Sequence, residues 1–95
     1  MAYVRISLMR PLAGREAEVD QLNLELVEYY RGQPGCLQST VIHAADGSGE
    51  TGRVSFWDSE AAADAAANSD RSMFLRSRLH LMLRRGHQDR SFRSE

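Results

Sequence analysis

Residues 52–60 read Gly52-Arg53-Val54-Ser55-Phe56-Trp57-Asp58-Ser59-Glu60, and this stretch decides the fold. Apolar and polar side chains alternate up to Trp57, the only tryptophan, with the period of two that is typical of a strand with two different faces. Asp58 or Ser59 then caps a helix, since either side chain can accept a hydrogen bond from a free N–H of the first helical turn. The stretch therefore predicts a strand that leads from a large aromatic residue into a helix, a place where small-molecule pockets often lie.

A first strand is predicted upstream, from Ala2 to Arg10. It ends before Pro11, which has no N–H for a sheet ladder. The strand has one apolar face and one mixed face. The apolar face carries Val4, Ile6 and Leu8, and the mixed face carries Tyr3, Arg5, Ser7 and Met9.

Helical and strand patterns alternate through the rest of the chain. Residues 46–52 have the composition of a turn, which joins two strands as a hairpin. Residues 87–93 contain a single apolar residue, Phe92, and form either a short edge strand or a disordered tail. The other predicted elements are a helix between Gly14 and Gly32, a strand over Cys36–Ala44, a helix over Ala61–Ala67, and a helical piece from about Arg71 to Arg85, where Arg84 and Arg85 form the last turn and Gly86 ends the helix.

This order of elements is the β-α-β-β-α-β plan of a ferredoxin-like α+β sandwich, in which helices cover one face of an antiparallel sheet. The other face needs a cover of its own. Tyr3, Met9 and Trp57 are candidates for that face, if the mixed side of the strands points away from the helices. A second copy packed sheet on sheet is the simplest cover, so we expect a homodimer.

The composition is that of one globular domain spanning residues 1–95. Hydrophobic residues make up 42% of the chain and charged residues 26%, which are ordinary values. The net charge of -1 gives no reason to expect nucleic acid or a membrane as a partner. All 12 basic residues are arginine, which excludes a Schiff-base lysine mechanism.

Cys36 is the only cysteine, and it cannot form an internal disulfide. We expect it to be a small buried hydrophobe in a reducing compartment. No signal peptide is visible, and no apolar run approaches the roughly 20 residues that span a bilayer. The sequence therefore favours a cytoplasmic protein.

Two motifs carry a resemblance to a known family. Pro34-Gly35-Cys36-Leu37 follows the first helix, and the aromatic strand then closes on Trp57 before a helix opened by Asp58, Ser59 and Glu60. Together they resemble the antibiotic biosynthesis monooxygenase domain of the dimeric α+β barrel superfamily, over Tyr3 to about Phe92. The resemblance implies a homodimer whose two sheets form a barrel, with a pocket between sheet and helices in each subunit. It also favours a strand near Phe92.

The family includes cofactor-independent monooxygenases of aromatic polyketides or quinols and also haem-degrading enzymes. The haem-degrading members combine an asparagine on the first strand, the tryptophan matched here by Trp57, and a histidine on the following helix. This chain has Arg5 and Ser7 on its first strand and no histidine in its alanine-rich segment, where Asn68 is the nearest polar side chain. We therefore expect neither haem chemistry nor another cofactor.

A cofactor-independent monooxygenase acting on a phenol or quinol-like molecule is the function that the resemblance favours. Such an enzyme must help to remove the substrate's proton and hold the anion. Trp57 either flanks an aromatic ring, or donates its N–H to the substrate, or only fills the core. Arg5 and Arg53 share its sheet face and either stabilise a phenolate or pair with acids on the surface. The predicted substrate-binding residues are Arg5, Arg53, Ser7, Asn68 and Phe74.

Three histidines are candidate bases near neutral pH. His80 shares a helical face with Met73, Ser77 and Arg84, and this face looks either into a pocket or onto solvent. We predict that His80 is catalytic together with Trp57. His43 is expected on the surface and His87 in a polar turn. No two histidines have the i, i+4 spacing of a helical metal pair, so no metal site is expected.

Two other functions fit the same fold. A non-catalytic module would bind a small molecule, or stabilise another protein, without needing a base. Alternatively, the protein is a dimer whose pocket is filled by its own side chains, so that it binds no small molecule and catalyses no reaction. Ala61–Ala67 argues against this last alternative, because small side chains leave room beneath a helix.

Overall fold

The computed structural model describes all 95 residues, Met1–Glu95. The elements are β1 (Ala2–Met9), α1 (Glu16–Arg31), β2 (Cys36–His43), β3 (Thr51–Trp57), α2 (Glu60–Ala67), α3 (Asp70–His80) and β4 (Gln88–Ser94). The four strands form one antiparallel sheet in the order β2-β3-β1-β4. This confirms the predicted ferredoxin-like fold. The sequence allows either an edge strand or a disordered tail over residues 87–93. The structure has a strand there, β4. No helix has the length and apolar character needed to cross a membrane.

The helices form where the sequence supplies caps and an apolar stripe. The Ser59 side chain accepts a hydrogen bond from the Ala62 N–H and so caps α2. Ser69 caps α3 in the same way. Along α1 the buried residues recur every three or four positions, which turns one face of the helix to the core. They are Val19, Leu22, Asn23, Leu26, Val27 and Tyr30.

The helix α3 ends earlier than predicted, at His80. The segment that follows pairs with the chain leaving β1. The Leu12 N–H donates to the Met82 carbonyl at 2.8 Å, and the Arg84 N–H donates to the Arg10 carbonyl at 2.8 Å. Since these bonds use backbone groups that a longer helix would need, the helix stops. The residues wrongly placed at the end of this helix are Arg84, Arg85 and Gly86.

The helices cover the mixed face of the sheet, and the apolar face is open. Met9 and Trp57 are buried in the core, and Tyr3 packs against it. The expectation that these three residues point away from the helices is therefore wrong. The open face carries the apolar residues of β1 and β3. Ile6, Leu8, Val54 and Phe56 are half-buried there, and Val4 is buried among its neighbours.

A mixed face can lie under the helices because its polar groups find partners there. Arg5 forms an ion pair with Asp64 of α2. The hydroxyl groups of Ser39 and Ser55 are 2.7 Å apart on neighbouring strands. Satisfied in this way, polar side chains cost little to bury. Periodicity alone does not reveal such partners, so it assigned the two faces the wrong way round.

Candidate active site

A cavity of about 280 Å³ lies between the helix-covered face of the sheet and the helices α2 and α3. Its floor comes from β1, β3 and β4, and one side comes from the short side chains of α2. Ala63 and Ala67 line it, so the alanine-rich segment does leave room beneath the helix. The full lining is Arg5, Ile6, Ser7, Tyr30, Arg53, Ser55, Trp57, Ala63, Ala67, Arg76, Leu79, His80, His87, Asp89, Arg90 and Ser91.

Trp57 and Tyr30 form an aromatic wall of this cavity. Their ring centroids are 5.8 Å apart and the rings meet edge to face at 75°. Trp57 is only 2% exposed. The Tyr30 hydroxyl lies 2.6 Å from the Ser72 hydroxyl of α3. Both rings are therefore fixed in place before any ligand enters.

Arg53 brings a buried positive charge to the cavity. It is 6% exposed, and its guanidinium donates to Asn23 Oδ1 at 2.6 Å and to Ser7 Oγ at 3.2 Å. Both partners are neutral. Burial lowers the pKa of Arg53, although an arginine keeps its proton in proteins. A buried charge that is hydrogen-bonded only to neutral groups favours an anion in the space that it faces.

Arg5 and Arg76 add two further guanidinium groups to the lining. The Arg5 charge is balanced by its ion pair with Asp64. Arg76 donates to the Ala67 carbonyl at 2.7 Å, while its buried Nε has no hydrogen-bond partner. Arg53 and Arg76 therefore supply positive charge to the cavity that no neighbouring carboxylate pairs with directly.

Asp89 of β4 connects Ser7 with His87. Ser7 Oγ donates to Asp89 Oδ1 at 2.5 Å, and His87 Nε2 lies 3.1 Å from the same oxygen. Burial alone would raise the pKa of Asp89, but the hydrogen bond from Ser7 and the nearby His87 lower it. Asp89 is therefore a carboxylate that accepts from both neighbours.

His80 ends α3 at the mouth of the cavity, with its ring centroid 4.8 Å from that of His87. Burial first, and then the adjacent His87, lower the pKa of His80. Its imidazole is therefore neutral at physiological pH. No group of three or more His, Cys, Asp or Glu side chains is arranged to hold a metal ion.

The sequence profile described as antibiotic biosynthesis monooxygenase matches residues 1–72, which is more than half of the chain. This protein belongs to the antibiotic biosynthesis monooxygenase family. No curated protein matches the sequence with statistical significance.

Solved structures of this fold are similar over the whole chain. Rv0793 from Mycobacterium tuberculosis matches with a TM-score of 0.90 and 19% identity, over 100% of this chain and 96% of that one. A conserved protein from Methanosarcina mazei Go1 has a TM-score of 0.92 and 17% identity, over 100% of this chain and 94% of that one. SnoaB, a cofactor-independent oxygenase from Streptomyces nogalater, has a TM-score of 0.81 and 15% identity, over 100% and 95%. At these identities the likeness establishes the shared fold.

The cavity of this family member brings together most of the predicted site residues. Trp57, His80, Arg5, Arg53 and Ser7 all line it. Their roles remain predictions.

Two predicted residues lie elsewhere. Asn68 is exposed at the end of α2, outside the cavity lining. Phe74 is 55% exposed, also outside the lining, with the Arg78 guanidinium over its ring. The reason is helical phase, since Leu75 and Leu79 turn to the core and Phe74 falls on the opposite side of α3.

Sequence reasoning missed other cavity residues, above all Tyr30, Arg76, His87 and Asp89. The sequence predicts only a polar turn at His87, and the residues of β4 by themselves do not distinguish a strand from a tail. The register could have revealed Asp89, because β4 pairs it with Ser7 of β1.

The haem ligand of some family members has no counterpart here. The helix that follows Trp57 is made only of glutamate, aspartate and alanine. It offers no imidazole to an iron, so its residues do not fit haem. Cys36 packs against the core, where burial raises the pKa of its thiol. A backbone hydrogen bond at Gln38 and the nearby Arg31 act in the opposite direction but do not outweigh this burial.

Proposed function

We propose that this protein is a cofactor-independent monooxygenase of a small phenol or quinol-like molecule. The observation that carries the proposal is Arg53, a buried cation with neutral partners facing a cavity walled by Trp57 and Tyr30. Membership of the monooxygenase family and the likeness to SnoaB, described as a cofactor-independent oxygenase, support it. A cavity near the lower end of the size range of small-molecule sites, about 300 Å³, favours a substrate with one or two rings.

The reaction needs oxygen and no external reductant. A phenol that loses its O–H proton becomes a phenolate, which passes one electron to O₂. Recombination of the two radicals forms a carbon–oxygen bond at a ring carbon, and the product is a ring peroxide. Loss of the proton on that carbon, with cleavage of the O–O bond, then gives a quinone. One oxygen atom enters the ring and the other leaves as water, so phenol plus O₂ gives quinone plus water. The substrate supplies all the electrons.

The side chains of the cavity contribute binding and electrostatics. Arg53 stabilises the phenolate, because its charge is already desolvated and fixed by Asn23 and Ser7. Trp57 and Tyr30 hold the ring of the substrate by edge or face contact. A phenolate gives up an electron more easily than its phenol does, so holding the substrate in its ionised form favours electron transfer to O₂.

We further propose that the protein is a cytoplasmic homodimer. Family members are typically dimers, and the open face of the sheet offers a second copy an apolar surface. Pairing two such faces would build the α+β barrel. The single unpaired Cys36 fits a reducing compartment.

The test is oxygen uptake with a panel of one- and two-ring phenols and hydroquinones. Arg53→Met keeps the length of the side chain and removes the charge. We expect it to lower kcat by about a hundred- to a thousand-fold, the usual cost of losing one donor to a developing oxyanion. Arg78→Met is the matched control, because Arg78 lies on the exposed side of α3 over Phe74. It should keep the wild-type rate.

Circular dichroism must show that both variants are folded. Wild-type turnover in Arg53→Met would exclude Arg53 as the partner of the anion. If the wild type binds members of the panel without consuming oxygen, the function is that of a non-catalytic binding module of the same fold.

A further inference from the structure

We propose that His87 is the proton acceptor of this site and that Asp89 is its positioning residue. The proposal rests on the proposed function, since it names the group that ionises the phenol. Its basis is a continuous set of hydrogen bonds across three strands. Arg53 of β3 donates to Ser7 of β1, Ser7 donates to Asp89 of β4, and Asp89 lies 3.1 Å from His87 Nε2.

Asp89 decides which nitrogen of His87 is free. A carboxylate can only accept hydrogen bonds, so the contact requires a proton on His87 Nε2. In the neutral imidazole the lone pair then lies on Nδ1, the nitrogen that can take a proton from the substrate. The same carboxylate stabilises the imidazolium that forms, as in other pairs of aspartate and histidine.

Asp89 is itself held in place by the cavity. Its side chain is 63% exposed at the mouth, where a free carboxylate would change rotamer. The short hydrogen bond from Ser7 restrains it, and Ser7 is restrained in turn by the buried Arg53. One network therefore fixes the group that takes the proton and the group that stabilises the anion left behind.

The step balances as a simple proton transfer. The O–H bond of the phenol breaks and its electron pair stays on oxygen. A new N–H bond forms at His87 Nδ1, and His87 keeps its Nε2 hydrogen bond to Asp89 as an imidazolium. The anion then faces Arg53, so positive charge stands on both sides of it.

His80 is the competing candidate, and the geometry favours His87. Both rings line the cavity, but only His87 contacts a carboxylate. His87 lines two cavities, whose other charged and titratable groups are Arg5 from β1, Tyr30 from α1, Arg53 from β3, Arg76 and His80 from α3, Asp89 and Arg90 from β4, and Arg84 and Arg85 from the segment after α3. All of the charged groups except Asp89 are cationic, so Asp89 alone stabilises an imidazolium here.

The experiment compares His87→Gln with the matched control His43→Gln, because His43 also contacts an aspartate, Asp20 at 3.0 Å, but lies outside the cavity lining. The probe is 4-nitrophenol, whose phenolate is yellow and whose neutral form is not. Mixed with the wild type at a pH just below its own midpoint, the bound probe should be largely ionised. In His87→Gln the ionised fraction should fall, because Arg53 alone then stabilises the phenolate, and in His43→Gln it should equal that of the wild type. This readout needs no turnover, so it stands even if the oxygenase proposal fails.

Kinetics on an oxygen-consuming member of the panel give a second readout. We expect His87→Gln to lower kcat by about a hundred- to ten-thousand-fold, the range of general-base catalysis. Asp89→Asn should lower kcat with little change in KM. A merely structural role of Asp89 would change KM as well, because Asp89 and its strand β4 form one border of the cavity that binds the substrate.

The proposal is overturned if the wild type leaves the bound probe neutral, or if His87→Gln ionises it as fully as the wild type. Wild-type kcat in His87→Gln together with loss in His80→Gln would assign the proton to His80 instead. Added imidazole should restore part of the activity of His87→Ala. This rescue separates lost chemistry from lost structure.

Discussion

The two faces of the single sheet differ in the opposite sense from the usual one. The covered face carries arginine, serine and tryptophan, and the open face carries valine, isoleucine, leucine and phenylalanine. The covered face places its polar groups in a cavity, where Arg53, Ser7 and Asp89 bond to one another. The open face has no such partners. In this fold the apolar strand face, which the sequence pattern would assign to the core, is free for another molecule. The mixed face, which the pattern would assign to the surface, lines the candidate site.

Gly52→Ala is expected to destabilise the pairing of β1 with β3 and therefore to disturb both faces of the sheet. A Cβ at this position of β3 would stand 1.8 Å from the Ser7 carbonyl oxygen on the neighbouring strand. Backbone cannot yield as a side chain does, so the free energy of unfolding should fall by at least about 3 kcal/mol. Urea unfolding measures the change.

Gly47→Ala is the control for this prediction. Gly47 has φ +76 and open space around it, so a Cβ there meets only backbone strain, about 1 kcal/mol. Equal losses in both variants would show that the close contact between the two central strands is not limiting.

Ile6→Asp should act mainly on the open face, because side chains alternate along β1 and Ile6 points away from the side of Arg5 and Ser7, although it also borders the cavity. Ile6 pairs with Val54 in the middle of the apolar surface, where the proposed dimer would bury a carboxylate in each subunit. Losing about 1.5 kcal/mol or more of apolar burial per subunit should raise the dimer dissociation constant at least about a hundred-fold. Analytical ultracentrifugation measures the dissociation constant, and circular dichroism should still report a folded chain.

Leu24→Asp makes the same change on α1, at an exposed leucine away from the sheet. It should leave the association state unaltered. Dissociation in Leu24→Asp but not in Ile6→Asp would move the interface to the helices.

The smallest expected change in unfolding free energy comes from the hydrogen bond between Tyr30 and Ser72, which lies on the covered side of the sheet only. Tyr30→Phe leaves the buried Ser72 hydroxyl without its partner at 2.6 Å, and Ser72→Ala does the same to Tyr30. Each single change should cost about 1–2 kcal/mol of unfolding free energy. The double variant should cost little more than either one, since no unpaired hydroxyl remains. Strict additivity of the two changes in thermal unfolding would contradict this account.

The order of elements could be predicted from the sequence because it depends on local signals. Alternation in β1 and β3, the Ser59 cap and the glycine-rich hairpin each act within a few residues. The identity of the covered face could not be predicted, because it depends on partners such as Asn23 that come from elsewhere in the chain.

The same distinction applies to the site. Trp57 and Arg53 were found because they stand on the deciding strand. The end of α3 was misplaced because residues 82–84 bond to the exit of β1, a contact between distant parts of the sequence. His87 and Asp89 could not be placed at the cavity from the sequence, because their position there depends on the pairing of β4 with β1.

The pairing of β4 with β1 also determines when the cavity can be completed during synthesis of the chain. β4 is the last of the seven elements to leave the ribosome, and β1 is the first. A nascent chain that ends before Gln88 already contains the aromatic wall and the helices, yet it lacks Asp89 and one border of the cavity. Domains begin to fold from the N-terminal end while they are made. Until β4 pairs with β1, the apolar face of the other three strands is therefore exposed while the cavity still lacks one border.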